Sequence, residues 1–397
     1  MSLYVPKKNR VTIIESFSDI CFIFFIITEF AFVHSKINII SLIAFGLSTI
    51  FLMVEKKKIH GNYYFLLYVL FIIYNFFNIS ENKAIDSIVA SAMLRTLVLN
   101  LILYFFMFNY VVLRNNLFVT IRQFINVTML LTVIIVAISL PTLFKDRLGN
   151  AIGINANEIA IYAAISFLMV LFNYLKLNTR KDLRKLMWFG IVVLFTGSRK
   201  GLLMMAIGYV IILYLLYPRK KFKHTVSIML MVVICYLLIM NVPTLYNIIG
   251  NRVQAGFSMF SSNEIEEGSL VSRISYINLG WDYIKDNPWR GYGLDCFALI
   301  DGSYGVYSHN NFIEILFSSG IIGFVIYYIN YIIIIIKGFH MKVEEKSYTK
   351  LFTTITLILI FAEYGMVTYF DRATIIFTIY TIAAIKIGKI RLKIERR

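Results

Sequence analysis

The stretch YSHNNFIEILFSSGIIGFVIYYINYIIIII, Tyr307 to Ile336, decides the fold class. After His309, Asn310 and Asn311 it runs apolar to Ile336, broken by one charge at Glu314. A run of that length exceeds the roughly 20 residues that carry a helix across a bilayer core. The rest of the chain repeats the pattern. Of its 397 residues 59% are hydrophobic and 15% charged, where soluble domains hold about 25% charged. The sequence therefore reads as an all-α polytopic integral membrane protein, one transmembrane domain over residues 1–397.

Hydropathy predicts about twelve spans, near 12–33, 37–54, 63–80, 88–112, 123–141, 157–175, 186–198, 201–217, 225–242, 311–336, 350–367 and 372–388. The first run, Val11 to Val33, is longer than a signal-peptide core and lacks a small-residue cleavage site, so it is expected to be a retained helix. The seventh and eighth runs follow each other closely and suggest a tight hairpin or broken helices. With the N-terminal segment in the cytoplasm, the inward segments hold 27 Lys and Arg and the outward ones 11. That asymmetry is what retention of basic loops produces, so both termini are expected on the cytoplasmic side. It also accounts for the net charge of +17 without a nucleic-acid partner. Cys21, Cys235 and Cys296 lie far apart and show neither metal spacing nor a disulfide framework. No metal site and no cofactor is expected.

One connection stands out. Residues 243–310 form a long outward-facing loop with seven acidic and four basic residues, where connections usually run about 4–6 residues. Within it Leu270, Ile274, Ile277, Trp281 and Ile284 recur at helical spacing after Ser269, and DNPWRGYG ends that run with Pro288, Gly291 and Gly293. An amphipathic helix on the outer membrane surface is the expectation.

Outward arginines are the next signal, because a guanidinium in or near hydrocarbon costs on the order of 2.5–3.5 kcal/mol and so calls for a partner. Arg147 precedes the lip of the sixth span, where Asn155, Asn157 and Glu158 sit, and Arg199 and Lys200 occupy the break in FTGSRKGLL. Arg273 lies on the loop helix, Arg290 follows Pro288, and Arg95 lies two turns into the fourth span. Arginine matches phosphate with two parallel hydrogen bonds, so several around one cavity suit a lipid-linked pyrophosphate. The plain alternative for each is a headgroup contact or a local salt bridge. His309 opens the tenth span with Asn310, Asn311 and Glu314, and Gly320 and Gly323 on that helix would let a helix or lipid chain come close. Glu363 is a further carboxylate in an apolar run, with Arg372 as an alternative ion-pair partner.

Four of these stretches in order resemble the O-antigen polymerase and O-antigen ligase superfamily of bacterial envelope glycosyltransferases. HNNFIEILFSSGIIG is similar to its His-Asn motif, and SRISYINLGWDYIKDNPWRGYG to its loop pattern of Arg, Trp and Pro-x-x-Gly-x-Gly. TGSRKGLL and GINANEIA look like its Ser-Arg turn and its Asn-x-x-Ala helix start. The resemblance implies a GT-C-like membrane glycosyltransferase, independent of metal, whose donor is an oligosaccharide on undecaprenyl pyrophosphate presented at the outer leaflet. It implies Arg273 and Arg199 on the pyrophosphate, His309 as the base, and Glu314 orienting or replacing it. Arg147, Arg290, Arg95, Asn310 and Asn157 are the further binding candidates. Membrane lipid, a flippase and a chain-length regulator are the expected partners. A polymerase is favoured, with a ligase and a lipid-linked oligosaccharide flippase as alternatives.

Overall fold

The computed structural model describes residues 11–32, 35–81, 83–143, 146–177, 179–216, 226, 230, 233–234, 236–243, 246–250, 254, 268–341 and 346–395. Among them there is no strand. The main helices are α1 (Ile13–Ala31), α2 (Lys36–Lys56), α3 (Tyr63–Ser80), α4 (Ser87–Arg114), α5 (Leu117–Ser139), α6 (Ala156–Leu177), α7 (Arg180–Phe195), α8 (Arg199–Leu216), α9 (Gly268–Asp286), α10 (Asn311–His340), α11 (Lys346–Ala362) and α12 (Arg372–Glu395). Seven of the described helices, α2 to α6, α10 and α12, are long and apolar enough to cross a bilayer. The expected seventh and eighth runs form α7 and α8, joined by a three-residue turn and both packed on α6, but neither is among those seven. The expected span near 225–242 is described in part, and its described residues are helical up to Asn241.

Sequence sets the helix ends through side-chain caps. Thr12 and Glu15 form a reciprocal capping box at α1, and Asn62, Asp86, Asn116 and Thr179 accept from the first amides of α3, α4, α5 and α7. Each such cap is worth about 1 kcal/mol.

Two ends of the bundle are recognisable from their polar contacts. At one end Arg114 makes a two-bond pair with Asp19, both bonds 2.9 Å, and also reaches Glu15, which holds Lys56 at 2.8 Å. These ties join α1, α2 and α4 at the turns that the charge pattern assigns to the cytoplasm. At the other end Arg372 reaches Glu29 at 3.2 Å and bonds Asn38 and Asn100. The expected alternative, an Arg372–Glu363 pair, is not what forms. Removing one partner of a buried pair such as Glu29–Arg372 costs about 3–5 kcal/mol.

The loop helix exists, as α9, and it packs on α10 through Tyr276, Gly280 and Ile284, while Ile274 and Trp281 stay exposed. Its buried stripe is thus rotated from the expected one, because a Cβ at Gly280 would meet Ile313 and only glycine lets the two helices approach there.

The turn after α9 explains the glycines. Within α10, Gly320 has φ 62° and ψ −172°, which breaks the helix. The amides of Tyr292 and Gly293 donate to the orphaned carbonyls of Phe317 (2.8 Å) and Ser318 (2.9 Å). The freed amides of Ile321 and Ile322 donate back to Pro288 (2.8 Å) and Trp289 (3.5 Å). The loop backbone therefore replaces the hydrogen bonds that the break removes, as an apolar setting requires. A Cβ on Gly320 would run into the Trp289 carbonyl, and one on Gly291 into the Phe317 carbonyl. From α3, Tyr74 donates to Ser319 O (3.0 Å), Asn78 to Arg290 O (3.0 Å), and Asn75 accepts from Ser319 Oγ (2.7 Å). The close neighbour of Gly320 is this loop backbone rather than a second long helix. Residues 321–340 alone reach roughly 30 Å, the thickness of a hydrocarbon core, so the piece carrying Asn311 and Glu314 is not needed to cross it and lies at the end of the bundle opposite Arg114.

Candidate functional site

The segment 307–311 enters α10 through a left-handed residue. His309 has φ 56°, a conformation that costs a side chain with a Cβ and persists only where neighbours impose it. The neighbours are explicit. Glu314, fully buried, accepts from the Ser308 amide at 2.9 Å, and Ser308 Oγ donates to Asn310 O at 2.8 Å. Asn310 caps α10, its Oδ1 accepting from Phe312 (3.0 Å) and Ile313 (3.2 Å). Asn311 accepts from the amides of Thr368 (2.9 Å) and Tyr369 (3.0 Å) in the α11–α12 turn and donates to Tyr328. Tyr328 and Thr368 both donate to Glu363 at 2.7 Å. Glu363 is thus occupied by hydroxyls, and the expected polar cluster at the helix start is mostly a clamp on the backbone around His309.

The imidazole itself is left to other contacts. Its ring lies 4.4 Å from that of Tyr307 and stacks on Tyr276 of α9 at 6.0 Å. No hydrogen bond of the His309 ring occurs among the described residues. Burial, then the charges of Arg273 and Lys200, push its pKa down to about 4. The ring is therefore neutral near pH 7, with a nitrogen able to accept a proton. Burial also raises the Tyr307 phenol, with Arg273 acting against it and Glu314 and Glu158 adding to it. Arg273 from α9, Lys200 from the start of α8, Glu158 from α6 and His309 from the mouth of α10 thus share one electrostatic neighbourhood. Lys200 also runs past Gly365 in the α11–α12 turn.

The other expected site residues divide. Arg199 opens α8 beside Lys200 and its charge acts on Lys200, but it is not among the charges that act on His309. Arg147 donates to Thr196 O (2.8 Å) and to Asn157 Oδ1 (3.0 Å), which also accepts from Ser198 (3.0 Å). Arg147 and Asn157 therefore hold the α7–α8 turn in place and so position Arg199 and Lys200. Arg290 pairs with Glu81 beside the Gly320 break, on the order of 14 Å along α10 from its start. Arg95 is exposed on α4, and no described contact joins it to His309. Lys200 was named from the sequence only as the neighbour of Arg199, with no site role, and Tyr276 and Tyr307 were not singled out. Lys200 carried the signal, a second cation beside Arg199 where few are expected, but two tyrosines among 26 carry none.

The arrangement combines a neutral imidazole with two basic side chains at the end of an all-helical membrane bundle to which the outward turns were assigned. Such a site can hold a lipid-linked anion and take a proton from a hydroxyl beside it. Residues 185–328 match the family model described as O-antigen ligase, which supports the chain's place in the O-antigen polymerase and ligase superfamily. Members of that family are glycosyltransferase-like enzymes acting on glycans. The matched residues include most of α7, all of α8 and α9, the Pro288–Gly293 turn and His309. No curated protein matches the chain.

Proposed function

We propose that the chain polymerises a bacterial surface polysaccharide, an O-antigen or a capsule, at the outer face of the cytoplasmic membrane. The donor is the growing glycan on undecaprenyl pyrophosphate, and the acceptor is a new lipid-linked repeat unit. An acceptor hydroxyl oxygen bonds to the donor's anomeric carbon as the bond from that carbon to the pyrophosphate oxygen breaks. The hydroxyl proton passes to His309, and undecaprenyl pyrophosphate leaves with the electron pair. Arg273, Lys200 and Arg199 take the charge that develops on the leaving group, so the step calls on no metal ion.

The observation that carries this reading is the reach of the Arg273 and Lys200 charges to His309. A bound pyrophosphate offsets those two cations, so the donor that brings the leaving group also makes the base stronger. The excess of basic residues in the turns of the opposite end supports cytoplasmic termini and an outward site. A second reading, ligation of the finished glycan to lipid A core or another terminal acceptor, is favoured by the description of the matched family. The abundance of Ile, Phe, Asn and Lys, typical of AT-rich genomes, fits a capsule locus without lipid A and favours the polymerase.

The test is reconstitution of the full chain in liposomes with a lipid-linked repeat unit and, separately, with lipid A core. A ladder of lengthening lipid-linked glycans is expected. One transfer to lipid A core and no ladder would establish the ligase, and movement across the bilayer without any covalent product would establish a flippase.

A further inference from the structure

We propose that the end opposite His309 carries a binding site for one anionic phospholipid, with its phosphate held by Lys58 and Lys386 and an acyl chain in the groove between α3 and α4. A cavity of about 460 Å³ opens there. Its polar lining includes His60, Asn62 and the tyrosines Tyr63 and Tyr104, and its apolar lining includes Phe65, Leu66, Phe105 and Phe108. The size and the mixed lining suit a chain end and a glycerol–phosphate unit, since ligand sites are mostly apolar with a few placed polar groups.

Its position in the bundle matches a headgroup level. His60 lies in the α2–α3 turn and its amide donates to Asn109 of α4 at 2.8 Å, five residues before the Arg114 ion pairs that mark this end. That places the cavity about 8 Å inward from Arg114 along α4.

Charge complementarity decides the occupant. Lys58 is two residues from His60, and the Lys337 ammonium sits over the ring of the cavity residue Tyr63, 4.3 Å from its centre. Burial first, then the Lys386 and Lys58 charges, hold the His60 imidazole below its ordinary range, so both cations act on the polar edge of the cavity. Lys56 on the same turn is neutralised by Glu15 at 2.8 Å, whereas among the described residues neither Lys58 nor Lys386 has a carboxylate partner. A net-negative headgroup supplies that partner; a zwitterionic one brings its own cation into a basic pocket. Basic pockets between helices are where anionic headgroups bind, with about 1 kcal/mol for each Lys or Arg near the surface.

Native mass spectrometry of the full chain in detergent, with equal amounts of phosphatidylglycerol and phosphatidylethanolamine of the same acyl chains, tests the site. One phosphatidylglycerol should be retained over phosphatidylethanolamine by roughly fivefold or more. The preference should vanish in Lys58→Gln/Lys386→Gln and survive in Lys58→Arg/Lys386→Arg. Equal retention of the two lipids by the unaltered chain would overturn the proposal, as would an undiminished preference in the Gln pair. A preference that millimolar inorganic phosphate abolishes would make this a site for free phosphate and overturn the lipid. The readout is lipid retention, so its failure leaves the proposed transfer reaction untouched.

Discussion

Acid should silence transfer well below the ordinary imidazole range, and bound donor should move that limit upward. The neutral His309 is the active form, so activity is full above its pKa and is lost as pH falls through it. In the free protein that pKa is about 4. Against an ordinary value of about 6.5, the gap corresponds to roughly 3.4 kcal/mol, before the reduction that solvent screening brings. Burial is the largest of three causes acting in one direction, with Arg273 second and Lys200 third. Burial therefore supplies at least a third, and the two cations together at most about 2.3 kcal/mol, or about 1.7 pKa units. Initial transfer rates in proteoliposomes at limiting and saturating donor separate the cases. The acid limb of kcat/KM should lie at about 4, and that of kcat should move up to no more than about 5.7 as pyrophosphate offsets the cations. Lys200→Met removes the smallest of the three causes and should raise the kcat/KM limb by at most about 0.8. A kcat/KM limb near 6.5 in the unaltered protein would refute the buried, cation-flanked imidazole. So would a kcat limb below that of kcat/KM.

Substitutions at two positions separate the residues that shape the site from the one that acts in it. Glu314→Gln keeps an oxygen for the Ser308 amide and should keep activity within a few fold, while Glu314→Ala should lose about 1–3 kcal/mol of stability, read as thermal unfolding in detergent. Inactive but folded Glu314→Gln would move the base from His309 to Glu314. Gly320→Ala should cost about 3 kcal/mol or more, since its backbone is in a region open almost only to glycine and the loop carbonyl fills the space of a Cβ. Normal folded yield for that variant would contradict the interlock between the loop and the broken helix.

Much of the bundle was legible because hydrophobic runs and charged turns are collective signals. The termini of α2, α3, α4 and α6 fall within two residues of the expected spans, and the tight α7–α8 turn at Thr196–Ser198 was visible as a gap between apolar runs. The break in α10 was not. Gly320 and Gly323 read as small residues for close packing, and only the pairing of Gly320 with Trp289 and Arg290, thirty residues earlier, turns the first of them into a helix break. The site was legible in its chemistry and less so in its division of labour. Arg273 and His309 do come together, with Lys200 rather than Arg199 as the second cation acting on the imidazole, whereas Asn310, Arg147 and Asn157 serve caps and turns. A sequence shows that a buried arginine needs a partner but leaves open whether the partner is substrate or a carbonyl such as that of Thr196. That choice is made by tertiary contacts.

The central claim is that His309 takes the acceptor proton in a polymerising glycan transfer. The most direct measurement is the glycan ladder formed by His309→Ala in proteoliposomes containing the lipid-linked repeat unit, beside the unaltered protein at equal folded amount. The account predicts that chain extension falls by about 100-fold or more, the range that loss of a general base brings, with donor still bound. A ladder of undiminished length and rate from His309→Ala would contradict it.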